Sequence, residues 1–313
     1  MLRQFFVFHG GWSPCLKSNS VCDNEGMGFG RSIRTTLEMI RWEHSVFALP
    51  FALTGAMLAA RGVPPLRTLG WILLAMVSAR SAAMAFNRLA DARLDAANPR
   101  TANRALPAGL LSAKFVGGFT VLASAIFLAA AWRLNRLTLM LAPVVLVVLL
   151  GYSWTKRFTR WSHLVLGLAL GIAPSAAWIA VRGSLDRRIV VLTAAVLLWV
   201  AGFDILYACQ DFEHDRKVGL NSVPQAFGMR AAFGLARLFH LGMLALLLWM
   251  CALFSLGPIA YVGVALVAAL LLYEHLIVSP ADLSRMDAAF FTMNGVIAFV
   301  FFAAVATALF VHG

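Results

Sequence analysis

Charge is scarce in this chain, and negative charge is the scarcest. The 313 residues include 14 Asp and Glu against 26 Lys and Arg, and only 13% of them are charged while 61% are hydrophobic. A soluble domain carries about 25% charged residues. The composition therefore excludes an ordinary soluble globular protein and indicates an integral membrane protein.

Cysteine and polar linkers are also rare. The four cysteines, Cys15, Cys22, Cys209 and Cys251, show no metal-ligand spacing, and two of them lie within apolar runs, which argues against a disulfide framework. No polar linker is long enough to divide the apolar region. We therefore predict a disordered tail over residues 1–30 and one polytopic membrane domain over residues 31–313.

Long apolar runs predict an all-α integral membrane protein, with nine transmembrane helices in a bundle around a central cavity. Each run is about long enough to cross a core of roughly 30 Å at 1.5 Å per residue. A short interfacial helix is predicted over residues 34–44, before the first span. The spans are expected near residues 45–61, 68–90, 113–132, 136–152, 161–181, 189–210, 231–253, 257–273 and 290–311.

Basic residues are distributed unevenly between the two ends of these spans. Most Lys and Arg residues fall in the N-terminal segment and in the loops after spans 2, 4, 6 and 8. The positive-inside rule then places the N-terminus in the cytoplasm and the C-terminus outside. The net charge of +12 is attributed to topology and to anionic headgroups or substrate rather than to nucleic acid.

Six of the 14 acidic residues cluster at the cytoplasmic ends of spans 2 and 6. A charged side chain at the bilayer centre costs roughly 2.5–3.5 kcal/mol, so carboxylates in so apolar a chain indicate a function. The simplest function is to hold divalent cations and, through them, an anionic substrate. The six residues are Asp91, Asp95, Asp204, Asp211, Glu213 and Asp215.

Helical spacing places these acids on two stripes. Residues seven apart return to nearly the same helix face, and residues four apart shift it by about 40°. The first stripe is Arg80, Asn87, Asp91 and Asp95; the second is Asp204, Asp211 and Asp215. Both clusters precede a polar loop, and this weak internal repeat suggests that helices 2 and 6 face each other across the cavity. Two facing stripes of Asn and Asp oxygens suit Mg²⁺, which keeps waters and bridges to phosphate.

Four motifs together resemble the UbiA-type intramembrane prenyltransferases, over about residues 34–311. The closest resemblance is to the bacterial branch that prenylates 4-hydroxybenzoate, and the loop at residues 100–107 carries it most strongly. One position departs from the pattern: Arg88 stands where many members have Asp, which leaves one carboxylate fewer. The other motifs are Asn87…Asp91…Asp95, Tyr152-x-x-x-Lys156-Arg157 and Asp204…Asp211-x-x-x-Asp215…Gly219.

The resemblance implies an enzyme of quinone biosynthesis in the bacterial inner membrane, with a site that opens to the cytoplasm. Its partners would be a polyprenyl diphosphate, a small aromatic acid and membrane lipid, with no obligate protein partner. By the family pattern Asn87, Asp91, Asp211 and Asp215 hold Mg²⁺, with Asp95 beside them as a ligand or supporting group. Tyr152 and Asp204 are expected to bind substrate, and Lys156, Arg100 and Arg104 are expected to contact the diphosphate. The alternative for these three basic residues is a topological role, with Lys156 as a snorkelling lysine and the two arginines as positive-inside charges.

Arg80 needs an acidic partner because it lies about two turns inside span 2. Its partner could be Asp204, the diphosphate or the carboxylate of the aromatic acid. The alternative role is a buried Arg–Asp pair that orients two helices. Intramembrane ionisable residues are usually functional, so we assign Arg80 to substrate.

The sequence leaves three other functions to be weighed. The same reaction on a bicyclic acceptor, 1,4-dihydroxy-6-naphthoate, would serve menaquinone synthesis. An ion-coupled transporter also uses intramembrane carboxylates, but these acids lie at the cytoplasmic ends, away from the bilayer midplane. A non-catalytic scaffold would have no use for so many costly carboxylates.

Overall fold

Apolar helices make up nearly all of the chain. The computed structural model describes residues 29–40, 45–286 and 292–312. The predicted tail at residues 1–30 therefore lies almost wholly outside the described residues. The helices are α1 (Phe29–Ile40), α2 (Ser45–Ala60), α3 (Leu66–Ala97), α4 (Ala113–Leu134), α5 (Arg136–Thr155), α6 (Ser162–Arg182), α7 (Arg187–Ala208), α8 (Phe212–Val218), α9 (Val223–Phe227), α10 (Met229–Leu253), α11 (Gly257–Ile277) and α12 (Asn294–His312).

The prediction of an all-α membrane bundle is confirmed. Within the described ranges, eight helices are long and apolar enough to cross a membrane, and α2 is a shorter apolar helix, which together account for the nine predicted spans. Neighbours in sequence pack against each other from α3 to α7, α7 packs on α10, and α11 packs on α10 and α12. Helix α2 closes the bundle through contacts with α3, α6 and α12.

The core lies where α2, α7 and α12 meet. The ring of Phe51 is 4.9 Å from that of Trp199 and 5.5 Å from that of Phe301, centroid to centroid. All three side chains are fully buried. Aromatic pairs at such distances contribute about 0.5–1.5 kcal/mol beyond the burial of their area. This cluster fixes the side of the bundle away from the cavity that is described below.

The two helices that carry the acidic stripes differ in regularity. Helix α3 continues without interruption to Ala97, so the predicted stripe through Asp91 and Asp95 is a helical surface. The second stripe does not lie on one continuous α-helix, because α7 ends at Ala208 and a 3₁₀ turn spans Cys209–Asp211 before α8 begins. A 3₁₀ turn advances roughly 20° more per residue than an α-helix. Asp211 is therefore rotated by roughly 60° from the position that an unbroken α-helix would give it.

Helix α6 is held by its neighbours through backbone contacts. A Cβ added at Gly55 of α2 would lie 2.3 Å from the carbonyl oxygen of Pro174 in α6. On the other side of α6, a Cβ at Gly167 would lie 2.4 Å from the Leu197 carbonyl oxygen of α7, and one at Gly171 would lie 2.8 Å from that of Thr193. These glycines let three helices approach at backbone distance.

Gly55→Ala is therefore expected to destabilise the bundle. The added methyl group meets backbone that cannot move aside, and such overpacking costs about 1–3 kcal/mol. Thermal unfolding of the purified protein in detergent measures the effect. Gly118→Ala in α4 is the matched control, because a Cβ at Gly118 meets no atom within 4 Å; equal melting temperatures for the two variants would contradict the close contact.

Candidate functional site

The end of α3 presents a buried carboxylate to a lysine. Asp91 is 2% exposed, and its Oδ2 accepts hydrogen bonds from Lys156 Nζ at 2.6 Å and from Asn87 Nδ2 at 3.2 Å. Lys156 reaches this point because α5 ends at the preceding residue, Thr155. The carbonyl oxygen of Lys156 accepts a 2.8 Å hydrogen bond from the backbone amide of Asn221. The structure thus joins two of the four predicted motifs.

The loop between α3 and α4 folds back over the acids. Arg104 Nη1 lies 2.6 Å from Asp95 Oδ1, and Arg100 forms an ion pair with Asp211. Asn98 Nδ2 also donates to Asp211, at 3.1 Å. Both loop arginines therefore contact predicted site carboxylates rather than open solvent.

Arg100 links the loop after α3 to the second acidic cluster. Its Nε donates to Asp211 Oδ1 at 2.9 Å and its Nη1 donates to the Tyr207 hydroxyl at 3.1 Å. Partial burial lowers the pKa of the Arg100 guanidinium, but the hydrogen bonds and charge of Asp211 outweigh this and raise it above the ordinary value. Arg100 therefore stays charged at any pH at which the protein is folded.

Asp215 and Asp204 occupy different surroundings. Asp215 is half-buried in α8, one turn after Asp211. Asp204 accepts a hydrogen bond from His163, with 2.6 Å between its Oδ2 and Nδ1. His163 Nε2 accepts from the Val223 amide at 3.3 Å, so the ring proton lies on Nδ1 and points to Asp204.

Arg80 faces an apolar cavity of about 300 Å³ between α2, α3, α5 and α6. Tyr152 lines the same cavity, and most of the remaining lining is aliphatic. The Arg80 Nε atom is buried and has no hydrogen-bond partner among the described residues. Asp204, one of the three partners proposed for Arg80, instead accepts a hydrogen bond from His163. An unpaired guanidinium N–H in apolar surroundings is costly, so this atom calls for an acceptor from a ligand.

The acids at the end of α3 have free coordinating capacity for a divalent cation. Asp91 Oδ1 and Asp95 Oδ2 are buried and accept no hydrogen bond within the part of the chain that is described. No three His, Cys, Asp or Glu side chains of the described residues group closely enough to hold one ion. Mg²⁺ needs only one or two carboxylates, with water and phosphate completing its shell. The oxygen donors at Asn87 and Asp91 fit that requirement, and the full predicted ligand set stays a prediction.

Arg88, the departure from the family pattern, lies in the packing between α1 and α3. It is 8% exposed, and its Nε donates to the Met39 carbonyl oxygen at 3.4 Å. Helix α1 overlaps the predicted interfacial helix over residues 34–40, and residues 41–44 of that prediction lie outside the described residues. Arg34 pairs with Glu38 on the exposed surface of α1. Arg88 therefore helps to seat α1 on the bundle beside the acidic stripe.

Sequence reasoning missed several residues that position the site. His163 holds Asp204, Tyr207 accepts from Arg100, and Asn98 donates to Asp211. A signal for Tyr207 was available, since the chain has only four tyrosines and this one precedes Asp211 by one turn. His163 and Asn98 gave no comparable signal, because their partners come from distant parts of the chain.

The amino-acid sequence of the chain is similar to those of known proteins. The model of the UbiA prenyltransferase family matches residues 48–310. A 4-hydroxybenzoate octaprenyltransferase of Aliivibrio fischeri (strain MJ11) is 33% identical over 254 residues, which is 81% of this chain and 88% of that protein.

Two solved structures share the fold. A UbiA homolog from Aeropyrum pernix K1, solved in its apo form, is 34% identical with a TM-score of 0.78, over 85% of this chain and 98% of that one. A UbiA homolog from Archaeoglobus fulgidus, solved with DMAPP and Mg²⁺, is 20% identical with a TM-score of 0.69, over 88% of this chain and 99% of that one. Sequence and fold agree, and the chain belongs to the UbiA prenyltransferase family.

Proposed function

We propose that this prenyltransferase transfers a polyprenyl group from its diphosphate to 4-hydroxybenzoate, at the ring carbon ortho to the phenol oxygen. The reaction serves quinone biosynthesis and takes place at the cytoplasmic face of the bacterial inner membrane. Support for the acceptor comes from the named activity of the Aliivibrio fischeri relative. The asymmetry of basic residues supports the orientation.

One observation carries the choice of an aromatic acid as the acceptor: the buried Nε of Arg80 in the apolar cavity has no hydrogen-bond partner among the described residues. Arg80 lies seven residues before Asn87, about 10 Å along the axis of α3. A carboxylate bound at Arg80 would leave the aromatic ring lying toward the acidic end of the helix. The guanidinium fork suits a carboxylate because it can donate two parallel hydrogen bonds.

The diphosphate end of the donor fits the opposite part of the site. Four basic side chains surround the acids there: Lys156 and Arg157 near Asp91, Arg104 on Asp95, and Arg100 on Asp211. Each of them can turn from a carboxylate to a phosphate oxygen, and this would neutralise the leaving group as the allylic C–O bond breaks.

Asn87, Asp91, Asp211 and Asp215 would hold Mg²⁺, which supplies charge neutralisation to the departing diphosphate. The Mg²⁺ bound with DMAPP in the Archaeoglobus fulgidus homolog supports a divalent cation as the cofactor. Asn87 is held by Ser153, whose Oγ lies 3.4 Å from its Nδ2. The aliphatic cavity walls exclude water, so the allylic cation reacts with the ring rather than being hydrolysed.

A membrane assay tests the proposal. Membranes containing the full chain are given a polyprenyl diphosphate and Mg²⁺ with 4-hydroxybenzoate or 1,4-dihydroxy-6-naphthoate, and products are identified by mass spectrometry. We expect prenylated hydroxybenzoate, formed only without EDTA. Methyl 4-hydroxybenzoate, which lacks the free carboxylate, is the matched control and should react poorly. A product with the naphthoate alone would reassign the acceptor, and turnover unaffected by EDTA would overturn the metal assignment.

A further inference from the structure

A second cavity lies at the end of the bundle opposite the acidic site. It has a volume of about 1080 Å³ and is lined by the C-terminal ends of α2, α6, α10 and α12 and the start of α7. The acidic site uses the C-terminal ends of α3 and α7 and the start of α6. Antiparallel packing of α6 and α7 therefore separates the two sites by the thickness of the bundle.

Four arginines line this cavity against one acid: Arg61, Arg182, Arg187 and Arg188 with Asp186. Asp186 forms an ion pair with Arg188, with 2.7 Å between Oδ2 and Nη2. Hydrogen bonds from Arg188 hold the pKa of Asp186 below its usual value, so Asp186 remains ionised. Among the described residues that line the cavity, three positive charges have no carboxylate partner. Such an excess on the face where the positive-inside rule disfavours arginine indicates an anionic ligand.

A buried tryptophan with an unpaired donor lines the same cavity. Trp178 is 5% exposed and lines the cavity, and its indole Nε1 has no hydrogen-bond partner among the described residues. A tryptophan N–H that is buried usually finds an acceptor. The ring centroids of Trp178 and Phe254 are 5.7 Å apart. The guanidinium carbon of Arg188 lies over the Phe254 ring, 5.1 Å from its centroid. The cavity thus combines arginines, an unused N–H donor and an aromatic wall.

Apart from Ser184 and Ser255, the remaining lining is aliphatic, and it includes Leu58, Leu253 and Leu309 at helix ends. This places the basic groups next to the hydrocarbon region, where a free anion has no reason to bind but a phospholipid presents both a phosphate and acyl chains. Basic cavities between transmembrane helices are suited to anionic lipid headgroups. We propose that this cavity binds the headgroup of one anionic phospholipid, with the phosphodiester on the arginines and Trp178 and the acyl chains along the leucines.

The experiment compares lipid binding by two double variants of the full-length protein. Arg182→Ala with Arg187→Ala removes two cavity arginines; Arg67→Ala with Arg136→Ala removes two arginines at the same end of the bundle but outside the cavity lining. Native mass spectrometry titrates each purified protein with phosphatidylglycerol and with phosphatidylcholine. We expect phosphatidylglycerol binding to weaken about 30-fold in the cavity variant, about 1 kcal/mol per arginine, and to be unchanged in the control.

A single-residue variant, a folding control and a competing anion complete the experiment. Trp178→Phe retains the packing and removes only the donor, so it should weaken phosphatidylglycerol binding about five- to tenfold, as for one hydrogen bond. Thermal unfolding without lipid checks that each variant is folded. Equal binding of the two lipids, or equal losses in the two double variants, would overturn the proposal. Displacement of phosphatidylglycerol by inorganic diphosphate would assign the cavity to a free anion instead.

Discussion

Asp91→Asn is expected to lower kcat for prenyl transfer by at least about 10²–10³-fold, the range for losing one preorganised electrostatic group. The change keeps the shape of the side chain and removes its charge. In the fold Asp91 is almost fully buried, pairs with Lys156 through Oδ2 and leaves Oδ1 without a hydrogen bond. Initial rates in detergent with saturating donor, acceptor and Mg²⁺ measure the loss.

A second variant separates loss of function from simple instability. Asp91→Asn leaves the half-exposed Lys156 without its partner, so the variant could fail through instability alone. Asp91→Asn combined with Lys156→Met removes both charges and should restore the melting temperature but not the rate. Recovery of activity in the double variant would mean that Asp91 only neutralises Lys156. Glu213→Gln, an exposed acid of α8, is the control and should be active.

Arg80→Gln is expected to raise the KM for 4-hydroxybenzoate by about 10- to 150-fold, since a hydrogen bond to a charged group contributes roughly 1.5–3 kcal/mol. The KM for the prenyl diphosphate should not change, because Arg80 lies about 16 Å from Asp91 along α3. Steady-state kinetics with each substrate varied in turn distinguish the two effects. Arg80→Lys should fall between wild type and Arg80→Gln, because it keeps a point charge but loses the planar fork.

The acceptor itself provides the control for Arg80. Methyl 4-hydroxybenzoate has no carboxylate, so its low rate should be about equal in wild type and Arg80→Gln. Arg67→Gln changes an exposed arginine at the other end of the same helix and should leave every constant unchanged. A parallel loss with the ester and the acid would show that Arg80 shapes the cavity without binding the carboxylate.

The bundle and the α3 half of the site were predictable because both follow from helical period and apolar length. Arg80, Asn87, Asp91 and Asp95 lie on one uninterrupted helix, so spacing alone placed them on one surface. In the other half only the continuity of the helix was not predictable, since a 3₁₀ turn at Cys209–Asp211 has no signature in residues that are all compatible with an α-helix.

The partners of the acids could not be predicted for a different reason. Arg100 and Arg104 belong to a loop whose path depends on tertiary contacts, and a positive-inside role explained them equally well. Their ion pairs with Asp211 and Asp95 emerge only when that loop folds over the end of α3. The hydrogen bond between His163 and Asp204 likewise joins two different helices, α6 and α7. The spacing of residues along one helix cannot predict a contact of this kind.

The backbone contacts of α6 bear on how the acceptor range of such an enzyme can change over evolution. Gly55 on one side and Gly167 and Gly171 on the other fix this wall of the cavity against α2 and α7. Backbone in contact with backbone leaves no side chain to shorten between these helices, so the backbone of α6 cannot retreat. Room for a wider ring must then come from replaceable side chains that line the cavity, such as Met84 of α3, Leu149 of α5 and Leu170 of α6. Substrate scope would thus drift through a few side chains, while the backbone position of α6 stays constant.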